Sequence, residues 1–335
     1  MLFRSFLIAA LLSSSSISAF GTAEIQIIHN AADPAASVVD VYVNGNLALD
    51  DFAFRTATPF ISLPSGSLLN IGVAPGNSLS VNDTLKNFEI TLMPGQRYVA
   101  IASGVLNPGS FGQNPDNKST AFTLFIKDNI QTASMNGTDV DFVVAHGSTD
   151  APTVDVIARN VATLVDDASY SDITGYLTVP ASGYLLDITP GNNNSIIVAS
   201  FNAPLTGLAG KSAVILASGF LSPANNQNGE GFGLLVVLND GTAFLLNNVT
   251  GLDENGTTSG FSMYPNPANN EITISTSANS SNTTVEIIDA LGKVVKNERL
   301  SNSQLVIPVS DLDKGVYFVR VQGTNDKSVN KLIIE

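Results

Sequence analysis

The chain holds two histidines, His29 and His146, and each is followed four residues later by an acid, Asp33 and Asp150. An imidazole beside a carboxylate is the pairing used by general bases and by metal sites. One His and one Asp per site are too few to hold zinc, and no third ligand follows at a diagnostic spacing. A second use of the pair is structural. An Asp oxygen accepts the imidazole N–H across a Pro-containing turn and so fixes that turn around a half-buried ring. His29 shares strand parity with Ile25 and Ile27, and His146 with Phe142 and Val144, which puts both rings on an apolar side. The staple is the expectation adopted here. The Val-Asp-Val runs that follow place Asp40 and Asp155 in the same motif.

Other reactive types lack the arrangement their chemistry needs. Asp50-Asp51 and Asp166-Asp167 are adjacent acids. Glycoside hydrolysis needs two carboxyls facing each other across a sugar, whereas neighbours on an extended chain point to opposite sides. A turn or strand end is expected for both pairs. Ser103 and Ser218 sit in "ASG", not in a G-x-S-x-G elbow. Asp139 and Asp141 alternate along a strand without the glycine of a calcium loop. Neither a P-loop nor a dinucleotide fingerprint occurs. No catalytic residue, metal or cofactor is therefore expected.

Two polar loops offer binding groups instead: "NPGSFGQNPDNKST" from Asn107 and "SPANNQNGEGFG" from Ser222. Amides such as Asn114 and Asn226 could bond sugar hydroxyls, and Phe111 or Phe232 could stack on a sugar face. "DTL" at Asp83 resembles a Bacteroidetes O-glycosylation signal, a short match.

The elements that position these groups are strands. The His motif and everything after it occur twice, in one order and at a near-constant offset. "VDVYV" from Val39 matches "VDVIA" from Val154, "FISLPSG" from Phe60 matches "YLTVPASG" from Tyr176, and "AIASGVLNP" from Ala100 matches "ILASGFLSP" from Ile215. So long a period is a duplicated domain and not a solenoid repeat. Each copy is a series of short apolar runs divided by Gly, Pro, Asn and Asp, the pattern of a β-sandwich. In the first copy the runs are "AEIQIIH", "SVVDVYV", "PFISLP", "LLNIGV", "FEITLM", "RYVAIASGVL" and "AFTLFI", with a hairpin turn at Asn44-Gly45. The fold class expected is all-β: tandem Ig-like or Greek-key sandwiches followed by a small C-terminal sandwich.

The 335 residues carry 15 basic and 29 acidic side chains, a net charge of −14, and no cysteine. That charge repels nucleic-acid backbones, and the missing thiols remove disulfides and thiolate sites together. Arg4 and the apolar run Phe6–Leu12, followed by Ala19, Gly21 and Ala23, read as a signal peptide over residues 1–23. No later run is long and apolar enough for a transmembrane helix. Sandwiches are expected over 24–130 and 138–247, a Gly/Thr-rich linker over 248–260, and a tail over 261–335 whose charges nearly balance.

The tail resembles the C-terminal sorting domain of the Bacteroidetes type IX secretion system. The matching pieces are "YPNPANNEITI" (Tyr264, Pro265, Asn266, Pro267), "DALGKVV" (Gly292), "LDKGVYFVRV" (Gly315) and "KLIIE" (Lys331). Read from the residues, "YPNP" is a rigid extended lead-in and Gly292 and Gly315 are turn glycines. The resemblance implies export through the type IX machinery, then release or attachment to surface lipopolysaccharide. The two copies resemble a secreted bacterial domain of unknown function whose opening signature is His-Ala-Ser-Pro-Asp-Ala-Pro-x-Val-Asp-Val-Tyr. "HGSTDAPTVDVI" follows it closely, whereas "HNAADPAASVVDVYV" lacks the Asp-Ala-Pro order. Together these readings indicate an exported, non-catalytic binding, adhesion or spacer module, with a surface glycan or lipopolysaccharide as possible partner. The alternative is a secreted carbohydrate-active enzyme or its accessory carbohydrate-binding domain.

Overall fold

The computed structural model describes residues 21–249, 261–276, 283–289, 293–300, 304–322 and 327–335. Most of the expected leader and all of the expected linker after Val249 lie outside these residues. Two compact units are present, Met1–Thr250 and Gly251–Glu335.

In the first unit, copy 1 supplies β1 (Thr22–His29), β2 (Val38–Val43), β3 (Asn46–Ala53), β4 (Ile61–Pro64), β5 (Leu68–Pro75), β6 (Lys86–Thr91), β7 (Arg97–Ser103) and β8 (Thr123–Lys127). They form two sheets, β4-β1-β7-β8 and β3-β2-β5-β6, with β1 and β7 parallel. Copy 2 supplies β9 (Asp139–His146), β10 (Val154–Ala158), β11 (Ala162–Ala168), β12 (Leu177–Pro180), β13 (Gly183–Pro190), β14 (Ala199–Pro204), β15 (Ser212–Ser218), β16 (Gly233–Leu238), β17 (Ala243–Leu245) and β18 (Asn247–Asn248). Its sheets are β12-β9-β15-β16-β17 and β11-β10-β13-β14-β18. The chain is all-β, as its run lengths and turn residues require. Asn44 and Gly45 adopt φ of 50° and 83°, the double positive turn that joins a tight hairpin.

β3 is absent from the seven runs of copy 1 because it carries the acid pair, and β11 is its counterpart in copy 2. Asp51 and Asp167 have φ of 53° and 54°, and the register slips beside them. The acid pairs are thus β-bulges inside strands, not turns or strand ends. Two residues of the bulged strand face one of its neighbour, which breaks the alternation a sequence reading depends on. β1 begins at Thr22, and Ala23 is buried in the core.

Each sandwich has its own interior, around Ile25, Val41, Phe52 and Leu69 in copy 1 and around Phe142, Val156, Phe201 and Val236 in copy 2. A third interior joins them. Ile28, Ile101, Val143, Leu216, Leu235 and Val237 pack the β1/β7 sheet of one copy against the β9/β15/β16 sheet of the other. These inner sheets are covered on both faces, which is why their strands read as nearly continuous apolar runs. Gln26 bridges the copies through its side-chain amide, donating to the Thr58 and Leu238 carbonyls at 2.9 and 2.8 Å.

The second unit contains β19 (Phe261–Tyr264), β20 (Glu271–Thr276), β21 (Thr283–Ile288), β22 (Val294–Leu300), β23 (Gln304–Pro308), β24 (Gly315–Gln322) and β25 (Lys327–Ile334). Its sheets, β19-β20-β23 and β22-β21-β24-β25, enclose Ile272, Ile274, Val285, Ile287, Val319 and Leu332. The stretch Pro265–Pro267 bends where an extended run was expected, and both of its X–Pro bonds are cis. Asn266 there accepts from Ile333 N at 2.9 Å and donates to the Lys331 carbonyl at 2.7 Å. This ties the first motif of the tail to its last. Gly315 opens β24 opposite Ile334 instead of sitting in a turn, because the chain enters the ladder directly after Lys314. Gly292 lies outside the described residues. Tyr264 is half exposed, and its hydroxyl accepts from Gln304 at 3.4 Å.

Candidate functional site

The His motif lies at the end of β1 and β9, where each strand leaves its sandwich. His29 is fully buried beneath Phe52 and Phe54. Its Nε2 donates to the Ala36 carbonyl at 2.8 Å, and its Nδ1 accepts from Ala31 N at 3.3 Å. His146 Nε2 donates to the Pro152 carbonyl at 3.1 Å. Burial drives the His29 pKa down to about 4, only partly offset by its backbone bond, and lowers that of His146 in the same way. Both rings are therefore neutral at pH 7.

The expected His–Asp bond is not formed in either copy. Asp33 turns away from the ring, caps the short turn Pro34–Ala36 through Ala35 N at 2.9 Å, and accepts from Leu106 N at 2.8 Å. Asp150 accepts from Leu221 N and Ser222 N, both at 2.8 Å, and from the Asn226 amide. The physical reason is supply of donors. A carboxylate has room for several, and the nearby loop amides have no other acceptor. The imidazole needs only one carbonyl, and the turn itself provides it. In place of the expected staple, ring and acid each fasten backbone groups separately.

Asp40 and Asp155 serve the bulges. Asp40 accepts from Asp51 N at 3.0 Å and from the Ser78 hydroxyl, while Asp155 accepts from Asp167 N at 2.7 Å. Each buried carboxylate thus satisfies the amide that the bulge removes from the ladder.

The two polar loops cross to the opposite copy. Asn114 is buried, donates to the Thr149 and Ala151 carbonyls at 2.9 and 3.3 Å, and accepts from Asp116 N and Lys118 N. Asn226 is also buried, accepts from Gly112 N at 2.9 Å and donates to Asp150. Phe111 stacks on Phe220 with centroids 5.7 Å apart, and Phe232 packs edge-on against Phe201. Asn114, Asn226 and Phe111 thus interlock the copies, whereas Phe232 packs within copy 2. The polar composition that suggested sugar binding instead satisfies backbone groups across the seam between copies.

Sequence reasoning passed over Arg55. It donates to Ser218 Oγ and to the Ser218 and Gly231 carbonyls at 3.0, 3.0 and 2.6 Å, which fastens copy 1 to the end of β15. Its equivalent in copy 2 is Ser171: both have positive φ, and their amides donate to the His29 and His146 carbonyls respectively.

Around each histidine the space is small and apolar, about 40 Å³ beside His29 and about 60 Å³ beside His146. Such voids are too small for a substrate and too apolar to order water. Ser103 is buried against the Tyr170 hydroxyl and the Gly147 carbonyl, with no base in reach. The described residues bring no three His, Cys, Asp or Glu side chains together in a metal-holding group.

The model for "Domain of unknown function (DUF4397)" matches residues 23–143 and 140–225. The chain belongs to this DUF4397 family. A second model, "Secretion system C-terminal sorting domain", matches residues 262–335. The tandem DUF4397 copies are therefore the cargo of a type IX sorting domain, and the protein is secreted or held at the cell surface by that route. Neither family is a catalytic one. No helix among the described residues is long and apolar enough to cross a membrane.

No curated protein matches the chain. Among solved structures, the central fibronectin-III array of RIM-binding protein is similar at 11% identity and TM-score 0.17, over 90% of this chain and 88% of that one. A biofilm-associated protein BSP domain is similar at 10% identity and TM-score 0.21, over 80% and 59%. The Bacteroides ovatus mixed-linkage glucan utilization locus protein SGBP-B, solved with a mixed-linkage heptasaccharide, is similar at 11% identity and TM-score 0.17, over 92% and 65%. At such scores the likeness carries no argument about ligand or mechanism.

Proposed function

We propose that the mature protein is a non-catalytic binding or spacer module displayed outside the cell, with the DUF4397 pair acting as one stiff body. The observation that carries this reading is the use made of the side chains with reactive potential. His29, Asp33, Asp40, Asp150 and Asp155 bond backbone groups of turns, bulges and loops. The His29 ring is bonded through both nitrogens, and His146, bonded through Nε2 alone, turns its unpartnered Nδ1 into a buried apolar setting, so neither ring meets a substrate. The shared interior between the copies supports the mechanical half of the reading, because separate beads would have polar inner sheets. Two copies on one chain also double whatever contact a single copy makes, and a stiff link raises the gain from simultaneous binding.

The mature chain applied to a glycan array, with reducing-sugar release measured in parallel, tests this reading. Specific binding without release is the expected result for a binding module, and high stability without binding is that for a spacer. Sugar release abolished by His146→Ala while the protein stays folded would establish an enzyme and remove the proposal.

A further inference from the structure

The duplicated sandwiches differ along one edge. In copy 2 the chain reverses after β16, runs back beside it as β17, and continues as β18 beside β14. Leu246, between the two short strands, is buried in the copy 2 interior. One segment, Ala243–Asn248, thus seals both sheets of that sandwich. Among the described residues copy 1 has no such return. After Asn129, which takes φ of 54°, Ile130 enters the interior shared by the copies. Among the described residues no strand pairs with the outer side of β8 or β6.

An open cleft of about 750 Å³ lies along this edge, lined by Lys86 of β6, by Phe125, Ile126 and Lys127 of β8, by Ser171 of copy 2 and by one acid, Asp128, against the two lysines. Ser171 stands where Arg55 stands in the other half, and its short side chain leaves that corner open. Ile126 is 41% exposed, large for an apolar residue at the centre of a strand. Among the described residues neither Lys86 nor Lys127 forms an ion pair, whereas Arg55, Arg97 and Arg159 in the same unit each pair with an acid.

An unpaired strand edge presents a row of free N–H and C=O groups, which an extended peptide completes by adding a strand. Lysines at such an edge repel a second basic edge, a known defence against self-association. The same charges admit an acidic strand. We propose that the open edge of sandwich 1 accepts an extended, acidic segment of a partner polypeptide, which pairs with β8 as Ala243–Leu245 pairs with β16. The proposal rests on the binding-module reading and supplies the class of partner.

The test uses the mature full chain and a fluorescent peptide, GTAFLLNNVTGLDE, copied from residues 241–254, whose Ala243–Leu245 portion pairs with the matching edge of copy 2. The expected result is saturable binding that slows amide exchange across Thr123–Lys127. Exchanging the two terminal acids of the peptide for lysine, or introducing Lys86→Glu with Lys127→Glu in the protein, should weaken binding at least about tenfold. Both lysines are outside the cores, so the double variant keeps its fold. Absence of binding, or binding without protection of Thr123–Lys127, overturns the proposal. So does polygalacturonate displacing the peptide while itself binding more tightly, since that assigns the cleft to an acidic glycan. Array binding without turnover would persist through any of these failures, whereas turnover would remove the module reading whatever the peptide does.

Discussion

At the scale of single residues, the buried histidines make stability depend on pH in a defined window. Folded His29 binds its proton only near pH 4, whereas an unfolded histidine does so near 6.5. Below 6.5 the unfolded chain takes up a proton that the folded chain refuses. The stabilisation is therefore complete above pH 6.5 and is lost as the pH falls towards 4, by about 3 kcal/mol in all. Thermal melting across this interval should show the decline, and His29→Gln should flatten it at the cost of a lower melting temperature at pH 7. Asp187 loses its contribution only at lower pH: burial would raise its pKa, but bonds from Arg159 and Ser200 together hold it below its ordinary value. That the rings face an apolar side was legible from strand parity. Their partners were not, because Ala36 and Pro152 offer main-chain carbonyls that every residue type possesses.

At the scale of strands and sheets, the inner pair of sheets holds the DUF4397 copies together. Leu216 on β15 is fully buried in the shared interior. Leu216→Ala should cost about 2–5 kcal/mol, the range for a large-to-small change in a core. The loss should appear as one calorimetric transition moving to lower temperature, because both sandwiches lean on the same interior. Two separated transitions would show that the copies unfold independently. The sandwich strands themselves were readable from run length and turn residues. β3 and β11 were not, since Asp51 and Asp167 carry the backbone through a bulge and spoil the alternation. The continuous apolar runs of β1, β9, β15 and β16 did record a second buried face, but not which surface covers it.

At the scale of the whole molecule, the sorting domain decides destination and the tandem copies decide what is delivered. Deleting residues from Phe261 onward should leave the protein in the periplasm. Cell fractionation with protease shaving of intact cells reads the outcome, and undiminished surface display would contradict the assignment. The DUF4397 pair should fold normally in that variant, since its three interiors draw only on residues before Thr250.

Duplication, strand content, the apolar side of the histidines and the export tail were all determined by the sequence itself. Each rests on local order: side-chain alternation, turn chemistry, or a motif read along one segment. Tertiary structure alone decided that the polar loops lock the copies together, that Arg55 clamps one end of the seam, and that one sandwich edge stays open. Those outcomes depend on which buried amide meets which carbonyl, and on whether a returning strand reaches an edge. Both are set by residues far apart in the chain, so no local pattern encodes them.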